Sequence, residues 1–143
     1  MPGVDEKYSF TGNIEKVFNG IRQYELYPDY LPGVTEIESL EPSNDKVAAT
    51  LKYTVNLVKK FHYTLDLYEE KPNRIYWTLV DSNLMKKNDG SWQLTADGDK
   101  TNAEYHLDLK FKGLVPGKIQ DMVAKTQLPA MFEGFQKLIN DHG

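Results

Sequence analysis

The 143-residue sequence contains no cysteine, which excludes disulfides, thiolate metal sites and a cysteine nucleophile. Histidine is scarce too, with only His62, His106 and His142 available for imidazole chemistry. Positive charge is not in excess: 17 basic against 21 acidic side chains leave a net charge of −4. General attraction to a phosphate backbone is therefore absent, and no DNA partner is expected. No run approaches the ~18 apolar residues of a membrane span. Met1-Pro2-Gly3-Val4-Asp5-Glu6 also lacks the basic-then-apolar order of a secretory leader, so a soluble, cytoplasmic protein is the expectation. Neither a phosphate-cradling glycine loop nor a GxSxG elbow is present, and nucleotide or serine-hydrolase chemistry finds no support.

Aromatic residues, by contrast, are plentiful. Nine Tyr, six Phe and two Trp make up 12% of a chain that is 40% apolar overall, enough for one core and not comfortably for two. Residues 1–143 are therefore expected to form a single domain. Its Pro, Gly and Asn/Asp residues are scattered singly, as turns rather than linkers.

A short strand is expected around Lys7 to Phe10. Asn13 then suits an N-cap, and Ile14, Val17, Phe18 and Ile21 follow at the i, i+3, i+4, i+7 spacing of an amphipathic helix. Pro28 and Pro32 bracket a segment long enough only for a helical turn or tight loop. From Val34 the period becomes two. Apolar residues alternate with polar ones over Val34 to Leu40, Val47 to Val55, Phe61 to Leu67, Ile75 to Leu79, Trp92 to Ala96 and Ala103 to Phe111. Lys71-Pro72-Asn73 and Asn88-Asp89-Gly90 read as turns between these strands. The result is an antiparallel meander with one apolar and one wet face. A final helix from Lys118 to about Asn140 would cover the apolar face, making the class α+β. Its apolar face jumps in phase beside Pro129, which predicts a kink or two halves with different contacts.

That order of elements is the order of the helix-grip fold: about seven strands around a long carboxy-terminal helix, with two short helices between the first two strands. The run from Phe18 to Val34, with Tyr27-Pro28-Asp29-Tyr30-Leu31-Pro32 at its heart, resembles the opening signature of the polyketide cyclase/dehydrase and coenzyme Q-binding branch of the START-like (SRPBCC) superfamily. The paired aromatic strands of that branch are similar to Arg74-Ile75-Tyr76-Trp77-Thr78-Leu79 and Asp89-Gly90-Ser91-Trp92-Gln93-Leu94. Many coenzyme Q-binding members carry a bulky aromatic just after the Leu-Pro, where this chain has Gly33; quinone specificity is therefore not implied. The resemblance implies a cavity between sheet and helix that holds a lipid, isoprenoid or polyketide-like molecule. The leading expectation is a non-enzymatic carrier or chaperone of such a ligand; the alternatives are a cyclase or dehydratase and a ribosome- or protein-interaction factor, since the branch includes one.

Among the inward-facing positions, candidate ligand contacts are Leu51, Tyr53, Tyr63, Leu65, Trp77, Leu79, Trp92, Leu94, Tyr105 and Leu107 on strands. Met122, Val123 and Thr126 on the helix join them, with Leu31 as a lid. No histidine or carboxylate falls at an inward strand position, so no catalytic residue, metal ligand or cofactor is assigned; His62/Asp66 and His106/Asp108 merely share outward strand faces. Phenols with a pKa near ~10 donate hydrogen bonds but make poor bases at neutral pH. The tyrosines either orient a ligand or pack as core with the hydroxyl at the rim. Leu84-Met85, beside Lys86-Lys87, reads as an exposed apolar loop at the cavity mouth that would touch a membrane surface. A void above roughly 300 Å³ would favour ligand binding.

Overall fold

The computed structural model describes residues 3–57 and 59–143; Met1 and Pro2, on which part of the leader reading rests, lie outside them. Strand β1 (Gly3–Thr11) is followed by α1 (Ile14–Ile21), a 3₁₀ turn (Tyr24–Leu26) and α2 (Tyr27–Tyr30). As its sequence suggests, α1 is capped by Asn13, whose side chain accepts from the Lys16 N–H at 2.9 Å. Six strands follow: β2 (Val34–Leu40), β3 (Ala49–Asn56), β4 (Lys60–Glu70), β5 (Arg74–Ser82), β6 (Met85–Asp97) and β7 (Lys100–Phe111). They form one open antiparallel sheet in the order β1-β7-β6-β5-β4-β3-β2. The helices between β1 and β2 thus carry the chain from one edge of the sheet to the other. This is the helix-grip arrangement.

The long final helix is broken into pieces. α3 (Gly117–Asp121) runs into a π turn (Met122–Thr126), and α4 (Leu128–His142) begins after Gln127. The wider turn accounts for the phase jump in the sequence, because it resets which side chains face the sheet. Pro129 sits in the first turn of α4, where its missing N–H costs nothing. α4 buries Phe132, Phe135, Leu138 and Ile139, Phe132 against Tyr8, Trp92 and Tyr105 of the sheet and Ile139 against Gly20 of α1. Gln136 ties α4 to the end of β1, accepting from the Thr11 N–H at 2.8 Å and donating to its carbonyl at 3.1 Å.

Several expectations need correction. Asn88-Asp89-Gly90 is no turn: these residues lie inside β6, opposite Leu109, Asp108 and Leu107 of β7. The reversal comes earlier, at Asn83-Leu84. There the Ser82 hydroxyl accepts from the N–H groups of Leu84 and Met85 at 3.0 and 3.1 Å and donates to the His62 carbonyl at 2.9 Å. Leu84 and Met85 are buried, at 5% and 1% exposure, so the exposed apolar loop beside Lys86 and Lys87 does not exist. Val80 and Leu114 are the large apolar side chains exposed among the described residues.

The inward series of β4 also runs one step further than its apolar alternation. Glu69, opposite the buried Ile75, shares its face. Its carboxylate accepts from the Tyr24 hydroxyl at 2.7 Å and from Arg22 Nε at 3.1 Å. His106 pairs with Asp5 of β1, at 2.6 Å, instead of with Asp108, which binds Lys87 at 2.7 Å. Among the described residues no group of three or more metal-type ligands occurs, and no helix is long and apolar enough to cross a membrane.

Candidate functional site

Between the sheet and the helical layer lies a cavity of about 160 Å³, walled mainly by apolar side chains and open at one end. Its mouth is formed by half-buried residues: Leu31 and Pro32 after α2, Leu57 after β3, and Val123, Gln127 and Met131 along the broken helix. Gly33 sits between Pro32 and Val34, both of which line the cavity. Its φ of +78° is one that side chains rarely adopt, and a Cβ there would lie 2.2 Å from a Leu57 methyl. The absence of a bulky aromatic after Leu31-Pro32 is thus what allows Leu57 to close over the turn.

Of the fourteen candidate contacts, nine border the cavity: Leu31, Tyr53, Tyr63, Leu65, Trp77, Trp92, Tyr105, Leu107 and Val123. The other five do not. Leu51 and Leu94 face inward but are sealed in solid core, at 2% and 1% exposure. Leu79 is half-buried in the part of β5 beyond its pairing with β6, which covers only Arg74 to Trp77. Met122 borders a separate small crevice with Ile119 and Lys59. Thr126 is turned outward by the π turn and donates its hydroxyl to the Asp121 carbonyl at 3.3 Å.

The polar groups of the cavity are few. Tyr27 is fully committed, donating to the Ile21 carbonyl at 2.6 Å. Tyr53 and Tyr63 stack across β3 and β4 with ring centroids 4.8 Å apart, as directly opposed residues do. Tyr105, on β7, packs against Trp92 of β6. Among the described residues the hydroxyls of Tyr53, Tyr63 and Tyr105 have no hydrogen-bond partner, yet none is a fully enclosed atom. They open onto the cavity. Burial pushes the pKa of all three above the ordinary phenol value, and that of Tyr27 as well, because a phenolate would lose its hydration there. Among the described residues no Asp, Glu, His, Lys or Arg lines the wall. Glu69 lies outside it, bound to Arg22 and Tyr24; burial foremost, then the Glu69 contact, raises the Tyr24 pKa.

Sequence reasoning missed one wall residue of consequence. Asn88, 6% exposed, accepts at Oδ1 from the indole Nε1–H of Trp77 at 3.1 Å. Gly90 makes this possible, for a Cβ there would stand 2.3 Å from the Trp77 ring. Gly90→Ala is therefore expected to lower stability by about 1–3 kcal/mol through overpacking and to alter tryptophan emission. Urea unfolding followed by fluorescence checks both.

The volume lies below the roughly 300 Å³ that would by itself favour ligand binding; the rings of Trp77, Trp92 and Phe135 are among the groups that border it. The family model described as polyketide cyclase / dehydrase and lipid transport matches residues 1–141. The chain belongs to this family. Among solved structures, this chain is similar to a START superfamily protein from Mycobacterium smegmatis, with 18% identity, 97% of each chain covered and a TM-score of 0.82. A protein from Thermus thermophilus shows 14% identity over 98% of each chain, with a TM-score of 0.83. The Zhui aromatase/cyclase from Streptomyces sp. R1128 shows 12% identity over 97% of this chain and 92% of its own, with a TM-score of 0.78. Such identities establish the shared fold alone. Among curated proteins no sequence matches.

Proposed function

We propose that the protein binds and carries a small hydrophobic molecule in this cavity. The observation that carries the reading is an apolar space whose accessible polar groups include three neutral phenol hydroxyls with no protein partner among the described residues. Apolar burial at ~25 cal/mol per Å² would supply most of the affinity, and the hydroxyls would set orientation. The family description and the START and aromatase/cyclase neighbours support a ligand in this place. The volume limits what is enclosed to about one ring or a short chain, since a cavity of roughly 150 Å³ holds benzene; a longer ligand would leave its remainder at the mouth. Carriage is favoured over cyclisation or dehydration because the phenols are held protonated and no carboxylate or imidazole joins them at the described wall.

Native mass spectrometry of protein purified from its own host tests the reading. A discrete non-covalent adduct is expected, and Val123→Trp, which fills the mouth without disturbing the sheet, is expected to abolish it. No adduct on the wild type, or an adduct retained by the variant, would count against ligand carriage in this cavity.

A further inference from the structure

Asn88 is a buried side chain with half of its hydrogen bonding unused. Its Oδ1 is fixed by Trp77, whose indole N–H can only donate. The orientation of the amide is therefore set by chemistry, and the Nδ2 side must point away from the indole. Among the described residues Nδ2 has no partner, although no buried side-chain nitrogen or oxygen is left enclosed and unpaired. With the residue 6% exposed and bordering the cavity, the place where Nδ2 is accessible is the cavity itself. Gly90 and Trp77 hold this geometry in β6 and β5, so the donor sits on rigid strands.

Covering such a group with hydrocarbon would strand it, at the desolvation cost of an unmade hydrogen bond. A ligand that turned a donor or a charge toward Nδ2 would fare no better, because Nδ2 accepts nothing and, among the described residues, no ionised side chain lines the wall. We infer that Asn88 is the anchoring donor of this cavity and that the buried end of its ligand is uncharged and carries an acceptor oxygen, as a ketone, aldehyde or ester carbonyl does. The inference rests on the ligand-binding reading above and specifies the chemistry of that site. The neutral tyrosine hydroxyls are compatible with such an oxygen, since each can also donate.

The test compares acetophenone with ethylbenzene, one-ring probes that differ by a carbonyl oxygen in place of a methylene hydrogen pair, by NMR titration of the full chain. In the wild type, acetophenone is expected to shift the Asn88 side-chain amide resonances and ethylbenzene to leave them in place. Asn88→Leu is expected to weaken acetophenone relative to ethylbenzene by about ten-fold or more, the cost of leaving a carbonyl unpaired in an apolar site. An unchanged ratio of the two affinities in the variant would overturn the inference, as would equal loss of both. So would binding of acetophenone to the wild type without movement of the Asn88 amide, an outcome that needs no variant to fold. Binding of neither probe to the wild type would instead overturn the cavity reading on which the inference stands.

Discussion

Above about pH 10 the protein is expected to unfold steeply. Tyr24, Tyr27, Tyr53, Tyr63 and Tyr105 all have pKa values raised by burial. The unfolded chain releases its phenolic protons from about pH 10, whereas the folded chain retains them. Stability is therefore unaffected by these groups below that pH and is lost as pH rises beyond it. A single buried phenol costs about 1.4 kcal/mol per pH unit in this range, and five together steepen the slope severalfold. Against a typical stability of ~5–15 kcal/mol, one to two pH units should suffice. Circular dichroism against pH, with tyrosinate absorbance read in parallel, checks the expectation: both should change in one cooperative step. Tyrosinate appearing gradually in a still-folded protein would show that water reaches the cavity hydroxyls.

The second large effect concerns Phe135, which packs edge-on against Trp92 at 5.2 Å and Tyr27 at 5.4 Å between ring centroids. Phe135→Ala is expected to cost about 3–5 kcal/mol, as deletion of a buried ring from a close-packed interior does. Because Phe135 borders the cavity, the vacated space joins it. A two-ring hydrocarbon such as naphthalene should consequently raise the Tm of the variant more than that of the wild type. A cost below ~1 kcal/mol, with no gain for naphthalene, would mean that α4 collapses onto the sheet and fills the gap.

Much of this architecture is legible in the sequence because local signals agree with the fold. Period-two alternation places Tyr53, Tyr63 and Tyr105 inward, and the Asn13 cap begins α1 where the helical spacing starts. The misses have physical causes. Asn-Asp-Gly is a strong turn signal, but twelve register pairs with β7 hold β6 extended through it, and Gly90 is needed there for the Trp77 ring rather than for a reversal. The same turn signal hides Asn88 as a site residue. Leu84 and Met85 read as a loop because a two-residue connection bonded through Ser82 leaves no turn signature of its own. Glu69 ends an apolar series with a charge, and only the approach of Arg22 and Tyr24 from the helical segment explains its burial. Leu51 and Leu94 do face inward; which inward residues meet empty space depends on the neighbouring rings, and alternation is blind to that.

The π turn at Met122–Thr126 makes the rim of the cavity sensitive to the length of this segment. Removing one residue there would restore ordinary helical winding, and the segment before it would rotate by about 100° relative to α4. Val123 would swing off the rim and a different side chain would take its place, while all seven strands stayed as they are. A single-codon deletion can thus re-cut the doorway of this fold without touching the room behind it.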